Sequence, residues 1–147
     1  MIDADPDSVV AVARCWLGTP YHDQASLRGV GCDCLGLARG VWREVVGAES
    51  FPVPPYSRDW GETGPYEVLA EGARRMMPEI ALADVGPGAL ILFRMAPRAI
   101  AKHVGILTGH DSFIHSYERL GVVEEVLTAT WRRRIAFAFL FPRSSSI

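Results

Sequence analysis

The sequence predicts an α+β domain in which helices come first and strands follow. Three observations carry that expectation. Through Met77 the apolar residues recur at three- and four-residue spacing; beyond Gly86-Pro87-Gly88 they fall into short extended runs bounded by turn residues; and the two patterns do not interleave as repeated strand-helix-strand units do. The length of 147 residues fits one domain spanning 1–147, and 49% hydrophobic with 22% charged residues is ordinary globular composition.

Each element has a local reason. Asp5 is a good cap, Pro6 suits a first helical position, and Val9, Val10, Ala13, Trp16 and Leu17 share one face, so a first helix runs up to Gly18. Thr19 to Gly29 is polar and bounded by Pro and Gly, which reads as a loop, and packing alone gives Tyr21 on that loop no purpose. A second helix starts at Cys34: Asp33 caps it, Leu37, Ala38, Val41, Trp42 and Val45 form its buried stripe, and Gly47 stops it. Phe51 to Gly61 is rich in Pro and aromatics, so it is neither helix nor central strand but a long loop of the kind that often carries function. Pro65 to Met77 reads as a shorter third helix closed by Pro78.

About five strands follow from the pattern rules: Ala89 to Arg94, His103 to Thr108, Ser112 to Tyr117, Val122 to Leu127 and Ile135 to Phe141. The second and third are joined by a short polar turn and pair as an antiparallel hairpin. Arg132-Arg133-Arg134 reads as a solvated turn, and the last four residues as a frayed tail.

Charge and cysteine usage exclude several classes. The formal charge is -2 and the basic residues are scattered, so no nucleic-acid partner is expected. No apolar run approaches the roughly eighteen residues that suggest a membrane span. The N-terminus is acidic where a signal peptide is basic and then apolar, so the expectation is cytoplasmic synthesis as a soluble protein. Three cysteines, two of them in Cys32-Asp33-Cys34, make a poor disulfide framework, and free thiols are the default. No cofactor is expected; Cys15, Cys32, Cys34 and His22 or His103 are ligand types that zinc uses, but Cys-x-Cys is not its usual spacing.

The chemistry gathers around Cys34. At a helix start, with Asp33 as cap, free N–H groups and the positive dipole end favour thiolate over thiol; the competing reading is an inert thiol in the core. His103 and His115 fall on the hairpin strands, where a suitable register makes them cross-strand neighbours. An imidazole is the usual base for a cysteine nucleophile, and a second polar group fixes that base's tautomer and aim. The competing reading is two satisfied sheet histidines. His22 and His110 lie in loops and read as surface residues.

Five ordered motifs then carry a resemblance: Leu17-Gly18-Thr19-Pro20-Tyr21, Cys32-Asp33-Cys34-Leu35-Gly36-Leu37, Pro87-Gly88-Ala89-Leu90-Ile91-Leu92-Phe93, His103-Val104-Gly105-Ile106-Leu107 and Phe113-Ile114-His115-Ser116. In order and spacing they resemble the NlpC family of papain-like cell-wall cysteine peptidases. The resemblance implies helices packed on an antiparallel sheet, Cys34 as nucleophile, His103 as base, His115 as its orienter, and Tyr21 at the oxyanion. It implies a peptidoglycan stem peptide as substrate. Leu35 stands where the family commonly has Ser, which bears on substrate preference, and Ala89 where it commonly has Asp, which bears on the turn. The strings Cys34 to Arg43 and Thr130 to Arg134 resemble the branch carried in tail modules of phages and gene transfer agents. That branch implies tail hub or baseplate proteins as partners and delivery to the cell wall by the particle; a structural tail component with a decayed site is the alternative.

Overall fold

The first helix forms where cap and pattern agree. In α1 (Pro6–Cys15) the Asp5 carboxylate accepts from the Ser8 N–H at 3.3 Å and from its hydroxyl at 2.7 Å, and Val9, Val10, Val12 and Ala13 are buried. The computed structural model describes residues 4–49 and 66–143; the expected loop from Phe51 to Gly61 lies outside them, as do Pro65 and the last four residues. Where a plain loop was expected, β1 (Ser26–Leu27) and β2 (Gly31–Cys32) pair as a small antiparallel hairpin. Two residues per strand are too few to leave a pattern in the sequence.

The helix α2 (Cys34–Val45) begins at the expected residue and buries Leu37, Ala38, Val41, Trp42 and Val45. It packs on α1 closely because Gly40 carries no side chain: a Cβ there would lie 2.0 Å from the Trp16 ring. Helix α3 (Val68–Arg74) is shorter than expected. Its N-cap residue Glu67 makes no cap bond, and its carboxylate holds Arg94 at 3.1 Å and the Ala101 N–H at 2.8 Å instead.

The five expected strands appear as β4 (Ala89–Phe93), β5 (His103–Leu107), β6 (Ser112–Tyr117), β7 (Gly121–Val126) and β8 (Ile135–Leu140), joined by a short edge strand, β3 (Glu79–Ile80). The order is β3-β8-β4-β5-β6-β7, with every pairing antiparallel. Arg132-Arg133-Arg134 is not a turn but the end of α4 (Ala129–Arg134), which Thr128 caps by accepting from the Trp131 N–H at 3.3 Å. Among the described residues no helix is long and apolar enough to cross a membrane.

Alternation along the strands makes two apolar layers. Leu90, Leu92, Val104, Ile106, Ile114 and Phe139 join the core beneath α1 and α2. Ala89, Ile91, Phe93, Leu107, Phe113 and Ala138 face the other way, with Trp131 of α4 packed against them. On β5 the residues at period two from Leu107 are Gly105 and His103, so His103 belongs to this second face. Gly105 leaves room for two rings there, since a Cβ would meet Phe93 at 3.0 Å and Phe113 at 3.1 Å.

Candidate active site

The start of α2 is held by one buried carboxylate. Asp33 is 4% exposed. One oxygen accepts from the Gly36 N–H and the other from the Gln24 N–H, each at 2.7 Å. The bond to Gln24 fastens that residue in a left-handed conformation, φ 63°, and so fixes the loop that carries Tyr21. Gly36 is clamped from its other side as well, its carbonyl accepting from Ser26 Oγ at 2.6 Å.

These contacts aim Cys34 at the beginning of β5. Its sulfur lies 3.8 Å from the Lys102 carbonyl oxygen, and the N–H groups of Val104, Leu35 and Cys34 itself are directed at it. The thiol therefore sits against the backbone on both sides of His103. Burial and the neighbouring Asp33 charge push it up to about 12, outweighing the three N–H groups. Burial and the Asp33 charge thus oppose the pull toward thiolate expected from the helix start, although Cys34 as a residue is half-exposed. Cys32 is also pushed up, to about 11, chiefly by burial, whereas Cys15 is exposed.

The two histidines meet. His103 Nε2 lies 2.7 Å from His115 Nδ1, with the rings nearly perpendicular at 80°. Burial first, then the neighbouring His115 and Arg134, lowers His103 to about 3, so it rests neutral. His115 is fully buried, and burial lowers it against the opposing pull of Glu125. Aromatic rings enclose the pair. Trp131 lies 5.7 Å from the His103 ring and 5.2 Å from that of His115, Phe113 lies 4.5 Å from His115, and Tyr117 stacks on His115 at 5.2 Å.

Tyr21 reaches the same region. Its backbone bridges to Cys32, its hydroxyl donates to Asp23 Oδ1 at 3.1 Å, and it lies within the electrostatic reach of Cys34. Burial and Asp23 hold the phenol well above its usual range, as a neutral donor. Leu35, at the position of the family's usual Ser, is half-buried, and Ala89 is fully buried at the start of β4. His22 and His110 are exposed, as expected. Among the described residues no group of three or more His, Cys, Asp and Glu is placed to hold a metal ion.

Two participants escaped the sequence reading. Glu125 on β7 hydrogen-bonds His115 Nε2 through its Oε2. A signal was present in Glu124-Glu125, because adjacent residues of a strand point to opposite faces, so one carboxylate had to face the histidine layer. The second is Trp131, which the sequence offers only within Thr130 to Arg134. The Cys34 sulfur thus lies against the backbone on both sides of His103, whose ring is bonded to a second imidazole; a thiol and two linked imidazoles are side chains that nucleophilic acyl transfer uses.

Residues 18–138 match the model of the NlpC/P60 family. The chain is 26% identical over 120 residues to Murein DD-endopeptidase MepS/Murein LD-carboxypeptidase of Escherichia coli (strain K12), an alignment covering 81% of this chain and 54% of that protein. The chain thus spans about half the length of the curated relatives it matches. Among solved structures, an NlpC/P60 family protein from Bacillus cereus ATCC 10987 superposes with a TM-score of 0.65 at 22% identity, over 91% of this chain and 39% of that one. The NlpC/p60 domain of the peptidoglycan hydrolase SagA superposes at 0.61 and 23% identity, over 92% and 97% of the two chains. These likenesses establish the α+β fold as that of NlpC/P60 domains. The family match covers more than half of the chain, and the chain belongs to the NlpC/P60 family.

Proposed function

We propose that this chain is a cysteine peptidase that hydrolyses peptidoglycan stem peptides. The observation that carries the reading is the placement of the Cys34 sulfur against residues 102–104, with His103 bonded to His115 at 2.7 Å. The names of its relatives, a murein endopeptidase and a peptidoglycan hydrolase, support the substrate class.

The chemistry follows from the resting states. His103, neutral, takes the Cys34 proton as the sulfur attacks a peptide carbonyl, so the charged pair forms during the reaction rather than before it. The N–H groups at the start of α2 stabilise the oxyanion, with Tyr21 beside them. Collapse to a thioester expels the amine, which leaves with the proton held by His103; water, deprotonated by the same imidazole, then releases the acid and restores the thiol. His115 holds the His103 ring in place throughout. The test is incubation of isolated peptidoglycan with the chain and mass spectrometry of the muropeptides. A stem shortened to a new carboxyl terminus, with the complementary fragment carrying a new amino terminus, is the expected product, and an unchanged muropeptide profile overturns the reading.

Delivery is the second half of the proposal: the chain travels at the tail tip of a phage or gene transfer agent and opens the wall locally. Its support is the likeness of Cys34 to Arg43 and of Thr130 to Arg134 to the tail-module branch. The first string forms most of α2, and the second ends α4, where Arg132 and Arg133 are exposed. Particles purified from producing cells are expected to contain the chain at fixed, low stoichiometry. Its absence from them, with free chain accumulating in the medium, overturns the delivery reading and leaves the peptidase reading intact.

A further inference from the structure

We propose that Glu125 is a positioning residue that sets the order of protons along the chain Glu125–His115–His103 and so leaves His103 Nδ1 bare to receive the proton of Cys34. The proposal rests on the peptidase reading above and extends it by one residue.

An ionised carboxylate only accepts, so the His115 nitrogen bonded to Glu125, Nε2, must carry a proton. Neutral His115 then has a bare Nδ1. That atom lies 2.7 Å from His103 Nε2, which must therefore be the donor. Neutral His103, with its proton on Nε2, has a bare Nδ1, the one ring nitrogen left for the thiol.

Reversing the order at His115 reverses it at His103. A proton on His115 Nδ1 would donate to His103 Nε2, leaving His103 with its proton on Nδ1, where it is no base. Nothing else in the described contacts of His115 chooses between the two orders. Phe113, Tyr117 and Trp131 pack rings against it, and the ring is fully buried. Register places the carboxylate on the correct face: Phe113 pairs with Glu125 across the ladder, and His115 pairs with Val123, so His115 and Glu125 lie diagonally on one surface. Glu125 has a second effect, since its negative charge, relayed through His115, favours the imidazolium that forms when His103 takes a proton.

Three variants separate these effects. Glu125→Gln keeps an amide oxygen that accepts from His115 Nε2–H but loses the charge; Glu125→Ala and Glu125→Leu lose both. The side chain is 36% exposed on an edge strand, so all three are expected to fold, which thermal melts check. Nitrogen-proton NMR of the histidine rings at neutral pH reads the tautomers directly. The unmodified chain is expected to show both His103 and His115 protonated at Nε2. Glu125→Gln keeps that pattern, while Glu125→Ala and Glu125→Leu move His115 wholly or partly to the Nδ1–H form. In turnover of a soluble stem peptide, kcat falls about 10- to 100-fold in Glu125→Ala, at most the lower limit of what a positioned base supplies, with KM unchanged and a smaller loss in Glu125→Gln. Unchanged tautomers in Glu125→Ala, or equal kcat in Glu125→Ala and the unmodified chain, overturn the proposal. The NMR measurement needs no substrate, so failure of the unmodified chain to hydrolyse any stem peptide counts against the peptidase reading alone.

Discussion

Adding one methyl group at Gly36 tests whether the start of α2 is positioned as tightly as the geometry implies. A Cβ at Gly36 would lie 1.8 Å from the Ala25 carbonyl oxygen, a backbone atom, whereas ordinary contact begins at 3.4 Å. The difference, 3.4 minus 1.8, is 1.6 Å, and the α2 start or the loop must move by that much to admit it. Neither moves freely, because Ala25 O accepts the Asp33 N–H at 3.3 Å and Gly36 is bonded on both sides to Asp33 and Ser26. Stability should fall by up to about 2 kcal/mol: overpacking costs about 1–3 kcal/mol, and the better helix propensity of Ala returns about 1 kcal/mol. The melting temperature then falls by no more than about 8 °C, at about 2–4 °C per kcal/mol for a domain of this size. Activity should suffer far more, since a misplacement of about 1 Å can lower turnover about 100-fold. Gly72→Ala in α3 is the control, with nothing within 4 Å of the added atom; it should gain about 0.5–1 kcal/mol and keep full activity. The assay is stem-peptide hydrolysis beside a thermal melt for each variant. Full turnover by Gly36→Ala, with the fold intact, refutes the reasoning.

The remaining predictions concern the titrating groups. His115→Asn and His115→Gln should retain much more activity than His115→Ala, because an amide can still bond His103 Nε2 and a methyl cannot; three equal rates would make His115 a packing residue. His103 is lowered to about 3 from an ordinary 6.5, so the neutral ring stabilises the fold above 6.5, and that contribution is lost as pH falls from 6.5 toward about 3. Urea unfolding across that window should show the loss in the unmodified chain and a flatter dependence in His103→Gln; parallel curves sink the assignment. Because burial pushes Cys34 up to about 12, iodoacetamide at mildly acidic pH should label exposed Cys15 ahead of it, with Cys34 labelling rising as pH rises. Preferential labelling of Cys34 in mild acid would restore the thiolate reading.

Local rules determined most of what the sequence revealed. The boundaries of α2 follow from Asp33, the apolar stripe and Gly47, and the strand runs from Ala89 onward are bounded by their own turn residues. Elements made by tertiary contact were invisible: β1, β2 and β3 have two residues each, and α4 has six, too few for a period to show. The site divided in the same way. Cys34, His103 and His115 stood out by residue type and place, and Tyr21 through the family resemblance; the structure sets the Cys34 sulfur by the Lys102 carbonyl and bonds His103 to His115. Glu125 gave only the hint of two adjacent glutamates, because its role depends on which face β7 turns to β6. Two effects meet at Cys34: the helix start is local and favours thiolate, whereas burial against β5 is tertiary and opposes it.

The most direct test of the central claim, that the Cys34 sulfur opens a stem-peptide bond, compares the unmodified chain with Cys34→Ala on a purified soluble stem peptide followed by mass spectrometry over time. One cut at one bond by the unmodified chain is expected, and none by Cys34→Ala, whose melt remains that of a folded protein. Equal cleavage by the two, or no cleavage of any stem peptide by the unmodified chain, contradicts it.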